Sequence, residues 1–346
     1  MSKIGFAIIG CGNIAPFHAE AIRDTEGAEL VAVCDKEADR AAGLAEKFPA
    51  EVYTDFSELL KRDDVDVVNI CLPSGLHEPL TIQAANAGKH VMVEKPLDIT
   101  LEKCDRIIAV CKKNTVKLAT IFPARFTRGP AAIKNAMSQG RFGTLTLADV
   151  AVKWFRTQEY YDSVDWRGTW DFDGGGALMN QSIHYIDMLQ DIMGPVESVS
   201  AYCSTQVRNM EAEDTAVALL RFKNGALGTI TGTTVAYPGL DARVGIHGEN
   251  GSAILEGETL VTWAFKESTE EDRELKSGMS ETRSSGASDP TKNIKSSGHQ
   301  LQVEDMVAAI NEDREPMVSG ESGRKAVEII CAIYQSARNR GETVCL

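Results

Sequence analysis

The sequence lacks long apolar runs, and this absence argues against a membrane protein. No stretch approaches the roughly 20 apolar residues that a membrane-spanning helix needs. The apolar run at residues 4–9 is too short for a signal peptide and continues into a glycine turn, so we expect a cytoplasmic protein. Runs of basic residues are missing as well. With 36 Lys and Arg against 50 Asp and Glu, the formal net charge is -14, and we expect no nucleic-acid partner.

Patterns that hold metals are also missing. The eight cysteines are scattered, and no two of them form a C-x-x-C pair. No set of His, Asp, Glu or Cys stands at the spacing of a metal site, so we predict that the protein binds no metal. Several cysteines lie inside apolar runs, which indicates reduced thiols of the core.

What is present is the composition of an ordinary globular protein, with 43% hydrophobic and 25% charged residues. A chain of 346 residues is large for one core and usually forms two domains. Over residues 1–122, apolar runs of strand length alternate with helical segments, which predicts an α/β Rossmann domain with a doubly wound parallel sheet. Over residues 123–346, strand-like runs follow one another with few helices, which predicts an α+β domain with a large, mostly antiparallel, open-faced sheet.

Three segments of the second part carry further predictions. Residues 229–234 place small hydroxyl side chains on one sheet face, which faces either solvent or another subunit. Residues 179–193 have the pattern of a helix. Residues 266–298 are polar and without periodicity, which predicts a long surface loop, either a plain connection or a lid.

The first apolar run ends in a G-x-G-x-x-A turn over residues 10–15. Gly10 allows a tight reversal, Gly12 lets backbone N–H groups approach a pyrophosphate, and Ala15 lets the following helix pack close to the strand. That helix, predicted to start at Asn13 and continue through Ile14, directs its positive end at the phosphates. The turn therefore predicts a bound dinucleotide.

A second apolar run ends in Asp35, whose carboxylate could accept hydrogen bonds from both ribose hydroxyls of an adenosine. The alternative makes Asp35 only the N-cap of the helix that starts near Glu37, and the two roles are compatible. A carboxylate repels a 2′-phosphate, so NAD is favoured over NADP. The neighbouring Lys36 would offset part of that repulsion.

Two further segments carry residues that could move protons. Lys95 follows a buried strand, where a lowered pKa would suit a proton donor or acceptor, although a surface lysine paired with Glu94 is the simpler interpretation. His184 stands four residues after Asn180 on one helix face, behind three glycines that permit close approach of a ligand. A core histidine that only satisfies its own hydrogen bonds is the alternative there.

Taken together, the turn at 10–15, the Glu94-Lys95-Pro96 motif and the stretch from the glycines at 174–176 to His184 resemble the glucose-fructose oxidoreductase / inositol dehydrogenase (Gfo/Idh/MocA) family. The closing segment 316–323 is similar to that family too. The resemblance implies hydride transfer between a nicotinamide and a secondary alcohol of a sugar, sugar nucleotide or cyclitol. It also implies that the open sheet forms the interface of a homodimer or homotetramer.

The turn, the strand ends and the resemblance together give a set of expected site residues. Lys95 and His184 are expected to be catalytic, and Lys95, Asn180 and His184 to contact substrate. The resemblance adds Trp166 and Arg167, which it places near the active-site cleft. The residues expected to bind the cofactor are Gly10, Gly12, Asn13, Ile14, Asp35, Pro73, His77, Glu94, Trp166 and Arg167.

One position departs from the family pattern. Many members carry an aspartate where this chain has Asn180, and an amide can orient a hydroxyl but cannot take its proton. Acid-base work then falls to Lys95 or His184. Asn180 and residues 152–156 are similar to a branch that contains UDP-N-acetyl-amino-sugar-uronate dehydrogenases. The alternatives to an NAD-dependent dehydrogenase are an NADPH-linked reductase of a keto sugar or an imine, and a dinucleotide-sensing protein without turnover.

Overall fold

The computed structural model describes residues 3–277 and 296–346 of the chain. Its contacts divide the protein into two compact units. The first unit comprises Met1–Pro123 and Lys295–Val327, and the second comprises Ala124–Ile294 and Glu328–Leu346.

The elements alternate between strands and helices in the first unit and are dominated by strands in the second. The helices are α1 (Ala15–Asp24), α2 (Ala38–Lys47), α3 (Phe56–Leu59), α4 (His77–Asn86), α5 (Leu101–Lys113), α6 (Arg128–Ser138), α7 (Gln158–Asp162), α8 (Ile183–Met193), α9 (Glu270–Ser277), α10 (Ser296–Asn311) and α11 (Gly320–Arg338). The strands are β1 (Ile4–Ile9), β2 (Ala28–Cys34), β3 (Glu51–Tyr53), β4 (Val67–Ile70), β5 (His90–Val93), β6 (Leu118–Thr120), β7 (Leu145–Lys153), β8 (Val196–Ser204), β9 (Thr215–Phe222), β10 (Leu227–Thr233), β11 (Arg243–Gly248), β12 (Gly251–Glu256), β13 (Thr259–Phe265) and β14 (Val344–Cys345). A π-helical turn, Ala177–Ser182, precedes α8.

The first unit is a doubly wound α/β sheet, as predicted. Its strand order is β3-β2-β1-β4-β5-β6, and every neighbouring pair is parallel. The central strands β1 and β4 are buried along their whole length, because helices cover both faces of such a sheet. Helices α1 and α10 pack together and share one core. That core includes Ala15, Ala19, Ile22, Val303, Met306 and Val307.

The second unit is built on an eight-stranded sheet in the order β13-β12-β11-β7-β10-β9-β8-β14. All of its pairs are antiparallel except β7 and β10, so the predicted mostly antiparallel sheet is confirmed. Helix α8 packs on β7 and β11 and covers one face. Its position is fixed by a buried ion pair in which the Arg125 guanidinium donates to both carboxylate oxygens of Asp187, at 2.7 and 2.5 Å.

The prediction of a long loop over residues 266–298 is wrong in part. Helix α9 occupies Glu270–Ser277, α10 already begins at Ser296, and residues 278–295 lie outside the described residues. The helix forms because Thr269 and Asp272 cap its start reciprocally, each side chain accepting from the other's N–H. Asp272 also accepts hydrogen bonds from Arg141 and from the Trp263 indole, contacts that a local pattern does not reveal.

The helix predicted over residues 179–193 starts earlier and differently, as a π turn from Ala177 that becomes α-helical at Ile183. Helix α7 and strand β14 are short elements that no sequence pattern indicated. Among the described residues, no helix is both long and apolar enough to cross a bilayer.

Candidate active site

The turn after β1 has the geometry that a bound dinucleotide requires. Gly10 has a φ of +91°, and a Cβ there would lie 2.4 Å from the Cys71 carbonyl oxygen, so only glycine fits. A Cβ on Gly12 would meet no described atom within 4 Å, which leaves open space beside the backbone. Asn13 and Ile14 lead into α1, whose start is capped by no described side chain. The N–H groups of this helix end therefore fit a phosphate.

Asp35 lies directly after β2 and is 9% exposed. Its Oδ2 accepts a hydrogen bond from the Cys11 N–H at 2.8 Å, and its Oδ1 accepts one from the Glu37 N–H at 2.9 Å. Each carboxylate oxygen can accept a further bond, so two ribose hydroxyls fit here. The alternative in which Asp35 is the N-cap of α2 is wrong, because the N-cap is Glu37, two residues later. The turn and this carboxylate together fit NAD.

The loops that follow β4 and β5 are braced by His77. Its ring is fully buried, with Nδ1 2.8 Å from the Pro96 carbonyl oxygen and Nε2 3.0 Å from the Leu72 carbonyl oxygen. The ring thus ties the loop that contains Pro73 to the loop that contains Lys95. Contact of Pro73 and His77 with the cofactor stays a prediction.

Glu94 directly follows β5, and each of its carboxylate oxygens accepts a hydrogen bond. Its Oε1 accepts a hydrogen bond from His18 Nε2 at 2.8 Å, and its Oε2 accepts one from the Lys95 N–H at 3.1 Å. Burial raises the pKa of this carboxyl, but the His18 hydrogen bond and the nearby positive charges outweigh it and set the pKa at about 2. Glu94 therefore stays ionised, and Lys95, half-buried and joined to Pro96 by a cis bond, follows a fixed anchor.

His18 was not singled out by any sequence pattern. Its Nδ1 lies 2.9 Å from Nδ2 of Asn69, an amide donor, so Nε2 carries the proton that it donates to Glu94. The ring of His299 lies 5.3 Å from that of His18, centroid to centroid. The possible ligand atoms of His18, Glu94 and His299 all lie within 4.8 Å of one another. Sequence spacing cannot find such a group, because its members come from distant elements, and the absence of a metal stays a prediction.

In the second unit, Asn180 and His184 lie on consecutive helical turns. Asn180 belongs to the π turn and His184 to the first turn of α8. The Asn180 amide nitrogen donates to Oδ1 of the buried Asp173, and its oxygen accepts from Gln181 Nε2 at 2.8 Å. These bonds fix which end of the amide is donor and which is acceptor.

Arg167 and Trp166 belong to a cluster of guanidinium and aromatic side chains. The Arg167 Cζ lies 4.3 Å from the Tyr160 ring centroid and 5.4 Å from that of Trp166, and the Cζ of the buried Arg156 lies 5.7 Å from the Tyr160 centroid. Gln181 accepts from Arg156 Nε at 3.1 Å and donates to the Tyr160 hydroxyl at 3.0 Å. Gln181, which bonds to this cluster, also donates a hydrogen bond to Asn180, its neighbour in the chain.

The expected site residues thus fall into two groups. The first unit holds Gly10, Gly12, Asn13, Ile14, Asp35, Pro73, His77, Glu94 and Lys95, and the second holds Trp166, Arg167, Asn180 and His184. Sequence reasoning missed His18 and Glu213, a buried carboxyl that hydrogen-bonds the start of the π turn. His18 had a usable signal, because it shares the buried face of α1 with Ala15 and Ala19 and a buried imidazole needs a partner.

Comparison with known proteins places these features in one family. The model of an oxidoreductase family with an NAD-binding Rossmann fold matches residues 4–122, and its C-terminal alpha/beta domain matches residues 134–346. Myo-inositol 2-dehydrogenase from Thermotoga maritima is 31% identical over 96% of both chains. Inositol 2-dehydrogenase from Rhizobium meliloti is 26% identical over 97% of this chain and 98% of its own. The WlbA dehydrogenase from Bordetella pertussis, solved with NADH and UDP-GlcNAcA, is 36% identical, with a TM-score of 0.91 over 100% of this chain and 98% of its own.

Proposed function

Because the chain belongs to this oxidoreductase (Gfo/Idh/MocA) family of NAD-dependent dehydrogenases acting on CH–OH groups, we propose that it oxidises a secondary alcohol of a sugar-type substrate, with Lys95 as its acid-base residue. The observation that carries the proposal is the anchored Glu94-Lys95 pair at the end of β5, the edge where a doubly wound sheet binds its ligands. A nicotinamide bound there supplies the hydride acceptor.

Lys95 takes the hydroxyl proton of the substrate in this proposal. The ionised Glu94 holds the Lys95 backbone, and His18 holds Glu94, so the lysine starts from a fixed position. General base catalysis of this kind contributes about a hundredfold to ten-thousandfold to the rate. His184 assists, and Asn180 orients a substrate hydroxyl with an amide that Asp173 and Gln181 already hold.

The substrate that the second unit favours carries a negative charge. Arg156 and Arg167 place two guanidinium groups over the Tyr160 ring, close to Asn180 through Gln181. Within residues 3–277 and 296–346, the hydrogen bonds of the Arg167 guanidinium go to a backbone carbonyl and to the hydroxyl of Ser163, both neutral, so a carboxylate or phosphate could pair with it. A uronate or a sugar nucleotide has such a group, and the Bordetella relative was solved with UDP-GlcNAcA. A cyclitol is the second candidate, favoured by the likeness to the Thermotoga myo-inositol enzyme.

The protein is further proposed to be a cytoplasmic homodimer or homotetramer. One face of the eight-stranded sheet bears the half-exposed Thr229, Thr231 and Thr233, and beside them Val217 and Leu219, which are 48% and 61% exposed. An apolar face of this kind fits a second copy of the chain.

The test is NADH formation by the purified protein, supplied with NAD and a panel of UDP-hexuronates, free aldoses and inositols. We expect turnover with one class, and we expect Lys95→Met to lower kcat by about a hundredfold to ten-thousandfold while NADH binds as before. Lys112→Met is the matched control, since this lysine is exposed and forms a surface ion pair with Glu321.

Three results would contradict the proposal. Equal losses of turnover and NADH affinity in Lys95→Met would remove the acid-base role of Lys95. NADH binding without turnover across the panel would favour a dinucleotide sensor, and a several-fold preference for NADPH would favour the reductase.

A further inference from the structure

Glu213 is a buried carboxyl, 2% exposed, in the segment that leads into β9. Its Oε2 accepts a hydrogen bond from the Gly176 N–H at 3.1 Å, and its Oε1 accepts from the Leu178 N–H at 2.8 Å and from the Tyr334 hydroxyl at 2.8 Å. The backbone carbonyl of Glu213 accepts from the Ala177 N–H at 2.9 Å. One residue therefore holds three successive N–H groups at the start of the π turn.

These N–H groups are the ones that a helix cannot satisfy from within. The first turn of a helix leaves its N–H groups without partners inside the helix, and a buried one costs about 1–3 kcal/mol if it stays unpaired. The fit around them is close: a Cβ on Gly176 would lie 2.1 Å from the Glu213 carbonyl oxygen. The position of the π turn, which carries Asn180 and leads into His184, thus depends on Glu213.

We propose that Glu213 is a positioning residue of the reaction, whose carboxylate holds the π turn so that Asn180 and His184 meet the substrate correctly. The inference rests on the substrate contacts proposed above for those two residues. Glu213 itself contacts neither substrate nor cofactor in this proposal. The ionised form suits this role, because both backbone N–H groups then meet an acceptor oxygen, whereas a proton on Oε2 would face the Gly176 N–H and a proton on Oε1 would force the Tyr334 hydroxyl to turn and accept.

The charge state of Glu213 is open to change near neutral pH. Burial raises the pKa of its carboxyl, the three hydrogen bonds lower it, and the net pKa is about 7. The titratable neighbours are Tyr334 of α11 and Cys203 of β8, whose own pKa values are raised by burial and by the Glu213 charge. Arg338 of α11 lowers the pKa of Cys203, and the adjacent Asp214, whose pKa is lowered, accepts from backbone N–H groups at 206–208. Among the carboxyl, phenol and thiol groups of Glu213, Asp214, Tyr334 and Cys203, Glu213 has the pKa closest to 7.

The direction of the pH effect follows from these shifts. Since the ionised form positions the turn, activity should fall as the pH drops through about 7 in the wild type. Tyr334→Phe removes one hydrogen bond that lowers the Glu213 pKa, so the inflection should move to higher pH. A purely structural loss would lower the rate without moving the inflection.

The experiment measures kcat and KM from pH 5.5 to 8.5 for the wild type, Glu213→Gln and Tyr334→Phe, with the substrate found in the panel. For Glu213→Gln we expect kcat to fall about tenfold to a hundredfold, as for a misplacement of about 1 Å, with NADH affinity unchanged and the inflection lost. Amide hydrogen exchange over residues 174–184 should quicken in Glu213→Gln.

The outcomes separate this inference from the proposed function. If the wild type turns over and Lys95→Met does not, while Glu213→Gln keeps the wild-type rate and inflection, only the inference is overturned. If the wild type turns over nothing, the proposed function fails, and unchanged exchange over 174–184 in Glu213→Gln would overturn the anchoring role as well. If Glu213→Gln does not fold, Tyr334→Phe decides, since an unmoved inflection contradicts the role.

Discussion

Asp35 holds two backbone N–H groups and is predicted to bind the ribose of the cofactor as well. It accepts the N–H groups of Cys11 and Glu37 and presents its remaining lone pairs where ribose hydroxyls would bind. Hydrogen bonds to a charged group are worth about 1.5–3 kcal/mol, and each 1.4 kcal/mol is about tenfold in affinity. We therefore expect Asp35→Asn to reduce the preference for NADH over NADPH by about tenfold to a hundredfold, measured by fluorescence titration of both cofactors.

Asp39→Asn is the control for this change, because Asp39 is an exposed acid in the first turn of α2. It lowers the local negative charge by the same amount without touching the turn. If Asp39→Asn alters the cofactor preference as much as Asp35→Asn, general charge rather than contact at Asp35 sets that preference.

At the residue scale, the sequence predicted the residues that follow strands and missed those that approach from elsewhere. Gly10 and Asp35 can be predicted from their residue type and spacing. Only glycine fits beside the Cys71 carbonyl, and an acid is expected after the second strand. His18 carries only the weaker signal of an imidazole on the buried face of α1, and Glu213 carries no local signal. Their partners lie 76 and 35 or more residues away along the chain, so only the folded structure brings them together.

The π turn carries Asn180 and leads into His184, two residues that are proposed to contact substrate. Gly176 faces the Glu213 carbonyl so closely that a methyl group must push backbone aside. We expect Gly176→Ala to lower kcat by about tenfold to a hundredfold and the free energy of unfolding by about 1–3 kcal/mol. Steady-state kinetics and urea unfolding measure the two effects.

Gly43→Ala is the matched substitution in an open place. Gly43 is exposed within α2, and a Cβ there meets no described atom within 4 Å. Alanine is the better helix former by about 1 kcal/mol, so stability should rise by up to that amount and kcat should not change. A Gly176→Ala enzyme as active and stable as Gly43→Ala would show that the turn tolerates displacement.

At the element scale, strands and regular helices were predictable and the irregular pieces were not. Strands β7 through β13 coincide with runs of alternating or apolar residues, the pattern that is typical of strands in a pleated sheet. The π turn differs from an α turn by one extra residue, and its start is decided by Glu213 and Tyr334, residues far along the chain. Helix α9 depends on Arg141 and Trp263 in the same way.

For the whole molecule, the exposed sheet face is the surface through which we propose that copies of the chain assemble. The register puts Tyr202, Val217 and Thr231 in one row across β8, β9 and β10, and Leu219 and Thr229 in the next. If a second copy covers this face, Leu219→Lys buries an unpaired charge at about 3 kcal/mol or more, roughly a hundredfold in the subunit Kd. We expect sedimentation velocity to detect smaller species for Leu219→Lys.

Leu301→Lys serves as the comparison, since Leu301 is 39% exposed on α10 of the first unit. Its assembly state should equal that of the wild type. A Leu219→Lys protein that sediments like Leu301→Lys would place the interface elsewhere.

The sequence predicted a mostly antiparallel sheet in the second unit, but it did not predict the order of the eight strands. Successive strand-like runs with few helices between them predicted antiparallel neighbours, and six of the seven strand pairs of this sheet are antiparallel. In the parallel pair, β7 lies beside β10 rather than beside β8, the next strand along the chain, and Leu147 pairs with Leu227. Local patterns carry no information about that choice.

The shared core of α1 and α10 has a consequence for how the protein is made. When the ribosome has synthesised all six strands of the parallel sheet, α10, the helix that packs on α1 as its partner, has not yet been made. That partner arrives only with residues 296–311, after β7 through β13 have left the exit tunnel. The unit whose synthesis begins first is therefore completed late. Until then the growing chain exposes an apolar face of α1, and a chaperone can bind a surface of this kind.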